Sequence, residues 1–314
     1  MSLIPRLLLC LALLSPAPVA LADDAQSLQS ALRLALGKDW DAALAAAPAG
    51  VGRDVILWQK LRDGKGSLGE YEDFLSRRAD WPGLPFLKEK GEEAAARSTT
   101  PSRVIAYFGS DLPQTALGAI ALVQALKADG QTALAETEAM RAWAELSFTA
   151  EEETALLLLE PEALARVHQL RLDNLLWQGR RAEAVRMLPR IGADWQRLAA
   201  ARIGLRADQN GTTALIEAVP PKLKADPGLT YERFLWRMRR DAYDDAVQLL
   251  LDTPAEALGR PDLWAERRAL MARWLMRNGR PKDAYRVAAR HGLTSGADYA
   301  DLEFLAGFVA LRKL

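Results

Sequence analysis

The feature that most constrains this chain is the period at which its apolar residues recur. Starting at Trp264, the residues Trp264, Met271, Trp274 and Leu275 share the spacing that lines one side of an α-helix. Glu266, Arg267, Arg268 and Arg273 take other angles on that wheel, so the sequence predicts a core-facing stripe and a wet face. Almost every segment reads the same way. Thr149-Ala150-Glu151-Glu152 and Thr253-Pro254-Ala255-Glu256 both have the spacing of a capping box, and the second adds proline at the first helical position. No alternating run of β-branched residues is bounded by turns, and Asn210-Gly211 stands in a helix-to-helix loop pattern. The expected class is therefore all-α.

A weak repeat runs through the helical pattern. Gly37, Gly130, Gly179 and Gly279 are each followed five residues later by alanine, at Ala42, Ala135, Ala184 and Ala284, and Asp241 with Ala246 fits the same frame. A residue able to turn left-handed ends one helix, and a small side chain lets the next helix come close to its partner. Repeated hairpins of this kind bury their remaining faces on neighbouring pairs. The expected architecture is a right-handed α-superhelix, a solenoid, ring or horseshoe of tetratricopeptide-like hairpins. The repeats are irregularly spaced, so a strict tetratricopeptide array is not expected. The stretches 63–69, 80–85 and 219–228 are short enough to be loops, and one superhelical domain over residues 23–314 is expected.

The N-terminus places Arg6 ahead of the apolar run from Leu7 to Leu14, then Pro16, Pro18 and Ala20-Leu21-Ala22 before Asp23-Asp24. This is the layout of a cleaved secretory signal over residues 1–22, with export to the periplasm as its consequence. The apolar run is shorter than the roughly 20 residues a spanning helix needs. Cys10, the only cysteine, lies inside that signal, so no disulfide or cysteine-ligated metal is expected in the mature chain. Lys plus Arg equals Asp plus Glu at 41 each, which leaves no broad basic surface for nucleic acid. At the other end, 305–314 is an apolar helical pattern with no cap behind it, and the chain is expected to continue.

Few residue constellations suggest chemistry. Gly64-Lys65-Gly66-Ser67-Leu68-Gly69 has dinucleotide-binding spacing but follows a helical segment, not a strand, so it reads as a loop. Glu92-Glu93, Glu151-Glu152-Glu153 and Asp244-Asp245 could be offered as a glycosidase pair. Adjacent carboxylates on a helix diverge, and a solvated face is the expectation for all three clusters. His168 and His291 stand without ligand-spaced partners and are expected at the surface or at helix ends. The tryptophans, among them Trp177, Trp236 and Trp274, share stripes with leucines and read as core rather than sugar platforms. The arginines within 233–240 and 267–273 could attract peptide carboxylates or simply pair with neighbouring acids. No catalytic residue, cofactor or metal ligand is assigned, and substrate-binding residues stay open.

The stretch from Phe234 to Leu314 resembles the late superhelical domain of soluble lytic murein transglycosylases. The matching residues are Trp236-Arg237-Met238-Arg239-Arg240, Trp264-Ala265-Glu266-Arg267-Arg268, Asn278-Gly279 with Asp283-Ala284-Tyr285-Arg286-Val287-Ala288, and Glu303-Phe304-Leu305-Ala306-Gly307-Phe308-Val309-Ala310-Leu311-Arg312. Asp80-Trp81-Pro82 and Gly91-Glu92-Glu93-Ala94 are similar to the family more loosely. The resemblance implies a U-shaped ring of helices, with a linker and a lysozyme-like catalytic domain expected after residue 314. It implies cleavage of the bond between N-acetylmuramic acid and N-acetylglucosamine in peptidoglycan, giving 1,6-anhydro products. The family's catalytic module carries Glu-Ser, Gly-Leu-Met-Gln and Ala-Tyr-Asn-Ala-Gly segments, and none of these strings occurs here. The chain by itself is therefore expected to be silent in that reaction. Its expected partner is the glycan strand, reached through the catalytic domain, with a peripheral association to wall or membrane and a monomeric state. A free-standing periplasmic interaction scaffold is the alternative reading.

Overall fold

In a computed structural model, residues 19–314 are described, and all the ordered elements among them are helices. The expected all-α class is what the chain adopts. Most of the secretory-signal reading falls on residues 1–18, outside the described residues. The chain divides into two compact units, Met1–Glu138 and Ala139–Leu314.

The first unit contains α1 (Val19–Leu36), α2 (Trp40–Ala46), α3 (Val51–Arg62), α4 (Leu68–Arg77), α5 (Leu84–Ala96), α6 (Pro101–Phe108), α7 (Ala116–Ala128) and the start of α8 (Thr132–Glu145). Helix α1 packs on α2 and α3, and α5 lies against α3, α4 and α7. Ala31, Ala35, Ala43 and Ile56 fill one core cluster, and Leu61, Tyr71, Phe74 and Leu87 are buried further along.

The second unit contains the rest of α8, then α9 (Ala150–Leu159), α10 (Pro161–Ala165), α11 (His168–Gln178), α12 (Arg181–Met187), α13 (Ala193–Arg206) and α14 (Thr212–Glu217). It continues with α15 (Pro227–Arg239), α16 (Tyr243–Asp252), α17 (Pro261–Arg277), α18 (Pro281–Ala289) and α19 (Ala297–Lys313). One of its cores gathers Phe234, Trp264, Met271, Leu275, Val287 and Leu302, where α15 to α19 meet. Phe234 stacks on Trp264 with centroids 5.2 Å apart. Full burial of one such large apolar side chain contributes roughly 2–3 kcal/mol.

One turn recurs in both units. At Lys38, Gly64, Gly130, Gly179, Asp208, Asp241 and Gly279 the chain is left-handed, with φ between 50° and 79°. Each of these amides donates to the carbonyl three residues back, and the following amide donates five residues back, as at Gly179 to Leu176 and Arg180 to Leu175. This pair of bonds satisfies the last free carbonyls of a helix while reversing the chain. Five residues beyond the left-handed position stand Ala43, Ala135, Ala184, Ala246 and Ala284, all at 0 % exposure. Their amides close the first turn of the second helix, for example Ala184 to the Arg180 carbonyl. The predicted glycine-to-alanine frame is thus a single turn type that ends one helix and seats the next.

The first hairpin departs from the prediction by one residue. Gly37 still donates helically to Arg33, so the reversal falls on Lys38 and the buried alanine is Ala43 rather than Ala42. The turns at Gly64 and Asp208 close in the same way but are followed at that position by exposed Gly69 and Thr213. The capping box at Thr149 forms, with Thr149 accepting from Glu152 and Glu152 from Thr149. Its counterpart at Thr253 does not. Thr253 instead ends α16, donating its hydroxyl to the Leu249 carbonyl, and only a short 3₁₀ turn, Ala255–Ala257, intervenes before α17.

Candidate binding groove and buried charge networks

The sharpest polar feature of the first unit grows from Glu92, on the inner side of α5. A side chain at Gly91 would overlap Tyr107 and Tyr71, so glycine there lets α5 settle against both rings. The next residue, Glu92, then reaches the loop that joins α6 to α7. Its carboxylate accepts from the Gln114 amide at 2.8 Å, the Thr115 amide at 2.8 Å and the Thr115 hydroxyl at 2.6 Å. Thr115 in turn caps α7 by accepting from the Gly118 amide. Burial pushes the Glu92 carboxyl above its ordinary range, although the three donors pull the other way. Glu92 is buried, which corrects the expectation of a solvated acidic pair; Glu93 is exposed and paired with Arg97 at 2.7 Å.

Lys88, one turn earlier on α5, ties down the same loop. Its ammonium donates to the Phe108 carbonyl at 3.1 Å and pairs with Asp111 at 2.5 Å. The Tyr107 hydroxyl donates to the Lys88 carbonyl at 2.6 Å, and burial raises the pKa of that phenol. Between α5 and the fixed loop lies a cavity of about 740 Å³, walled by Leu84, Phe86, Phe108 and Leu112, with Lys88, Glu89, Glu92 and Asp111 among its polar lining. A second cavity, of about 500 Å³, shares Leu75 and Lys88 with it. Concave space with apolar walls and a few placed charges is what a ligand site requires. Both oxygens of Glu92 are engaged in holding the loop.

The second unit carries its charge inside. Arg171 on α11 is fully buried, with its guanidinium 4.1 Å from the Trp143 ring centroid. It donates to Glu153 at 2.8 Å, Glu183 at 3.2 Å and the Trp143 carbonyl at 2.6 Å. Arg186 adds a second bond to Glu153 at 2.7 Å. Burial lowers the pKa of Arg171 and Glu153 works against that shift. Glu153 therefore leaves the solvated cluster that the sequence predicts, while Asp244 stays exposed and pairs with Arg280.

A further network joins α11, α13 and α15. Arg202 is 1 % exposed and pairs with Asp173 at 2.5 Å and Asp226 at 3.5 Å. Arg206 crosses the Gly179 turn, where any side chain would overlap it, and binds Glu232 through Nε at 2.7 Å. Burial raises the pKa values of both Asp226 and Glu232, with Arg202 and Arg206 respectively opposing the rise. Arg268 on α17 is buried without an acid among the described residues, donating to the Val287 carbonyl, and burial alone lowers its pKa to about 10. This overturns its placement on the wet face of the Trp264 helix. For a pair of unlike charges as deep as Arg171 and Glu153, the cost of leaving water offsets much of the mutual attraction.

The remaining predicted features sit apart from these networks. Residues 63–67 form a loop between α3 and α4, and Ser67 makes a capping box with Glu70. His168 begins α11, and its Nδ1 accepts from the Trp143 indole at 3.2 Å; burial lowers its pKa. His291 stands just past the end of α18, as a helix-end histidine, but is buried, with Nδ1 accepting from the Leu293 amide and Nε2 2.9 Å from Glu303. Trp177 is buried, while Trp236 and Trp274 are partly so. Of the arginines within 233–240 and 267–273, Arg240 pairs with Asp208 and Arg273 with Asp301, while Arg239 donates to the Leu205 carbonyl. Among the described residues no cluster of three or more His, Cys, Asp or Glu is arranged to hold a metal. No described helix is long and apolar enough to cross a membrane. Comparison with family models, with curated proteins and with solved structures finds no match to the chain.

Proposed function

We propose that this chain is a superhelical scaffold of lytic-transglycosylase type, exported to the periplasm, that positions a lysozyme-like module on peptidoglycan strands. The carrying observation is the repeated left-handed turn with its fully buried alanine, which makes successive helix pairs interchangeable units that can stack. The resemblance of residues 234–314 to the superhelical domain of that family supports the same reading. In it the hairpins form a right-handed, tetratricopeptide-like superhelix, the protein is a monomer, and its contribution to turnover is orientation of the reacting parts. The buried arginine networks hold the geometry of the second unit and take no part in bond breaking.

The test is turnover of purified murein sacculi by a lysozyme-like transglycosylase module, alone and joined to this chain. Release of 1,6-anhydromuropeptides is expected to rise when the chain is present. An unchanged rate over a range of strand lengths would count against the positioning role. A second reading, a free-standing interaction scaffold, is favoured by the groove between α5 and the 109–115 loop, which has the form of a binding site in its own right.

A further inference from the structure

We propose that the groove of the first unit binds an extended peptide segment in which apolar side chains flank a lysine or arginine. The cavity of about 740 Å³ has room for several residues, and a neighbouring cavity of about 500 Å³ shares Leu75 and Lys88 with it. Two large apolar side chains on its walls are left open to water, Phe86 on α5 at 40 % exposure and Leu112 on the loop at 54 %. Apolar groups gathered at a concave surface are the usual anchors of a binding partner.

Charge selects the partner. Of the acids in the two cavities, Glu72 is taken by Arg103 and Asp111 by Lys88. Glu92 is spent on three donors of the loop. Glu89 is half-buried in the lining with no ion-pair partner among the described residues, and it is the charge left to receive a cation. The Phe86 ring already has Lys90 at 5.1 Å and Arg62 at 5.7 Å from its centroid. Neither cation lines the cavity, so Glu89 remains the unpaired charge that a ligand inside it meets. The loop wall is held before binding by the Glu92 and Lys88 contacts, so little ordering cost remains.

The experiment titrates the full chain into a fluorescein-labelled peptide of alternating leucine and lysine and tracks anisotropy, with a leucine–glutamate peptide as the contrast. Saturable binding of the lysine peptide that weakens with salt is expected, and Glu89→Lys should weaken it about tenfold. Leu112→Asp, on the exposed loop, is expected to produce a comparable loss, and thermal melting checks that both variants fold. Equal binding of the two peptides, no effect of either folded variant, or displacement of the peptide by a neutral N-acetylglucosamine oligomer would overturn the proposal. None of these outcomes bears on turnover of sacculi, so the scaffold reading stands or falls separately.

Discussion

Lys38 holds a left-handed conformation that its own Cβ opposes, at φ 60° where the equivalent turns carry Gly130, Gly179 and Gly279. An L-residue there costs roughly 1 kcal/mol. The exposed pair with Asp63 returns little of it. Lys38→Gly is therefore expected to raise unfolding free energy by about 0.5–1 kcal/mol, measured by urea denaturation. Arg171 works in the opposite sense. Arg171→Met leaves Glu153 and Glu183 buried with less compensation and should cost about 3 kcal/mol. Adding Glu183→Gln to that variant is expected to recover part of the loss, which a double-mutant cycle reads directly. Arg268 shows how such residues escape a wheel reading. It stands four residues after Trp264 and three before Met271, squarely within the apolar stripe, but its charge assigned it to water. The Val287 carbonyl, on α18, accepts from one of its guanidinium nitrogens, while Nε and the other Nη are buried without a partner among the described residues.

At the scale of elements, the hairpin turn was legible because it depends on local rules: a residue able to turn left-handed, then a small one. Its position at the first hairpin was not, since one more helical bond at Gly37 moves the reversal without changing composition. Thr253 failed for a related reason. Its hydroxyl can cap the next helical turn or bond back to Leu249, and α16 takes it. The Glu92 site was illegible because its partners lie on a loop more than twenty residues away in sequence. Its burial gives a pH signature. Glu92 holds its proton more tightly in the folded chain, so its contribution is fully present below the ordinary glutamate pKa of about 4.3 and is lost as pH rises through the raised folded value. The stability of the protein relative to Glu92→Gln should therefore fall as pH rises above about 4. Glu70 should behave oppositely. Burial works against ionisation there, but Lys60 and Ser67 outweigh it and lower the pKa, so its contribution is present at neutral pH and is lost on acidification. Equilibrium unfolding of the Glu92→Gln and Glu70→Gln variants at several pH values separates the two signs.

For the whole molecule, the all-α class stems from periodicity that never switches to alternation, and the two units each close a core with the same turn. The charges buried in the second unit and the groove of the first are arrangements of distant segments, which a local pattern cannot encode. In the function proposed for it, the chain supports glycan cleavage without performing it. Purified chain incubated with murein sacculi, with soluble products separated chromatographically, tests this most directly. Muropeptide release no greater than in buffer is predicted for the chain alone; catalytic accumulation of 1,6-anhydromuropeptides by it would contradict the claim.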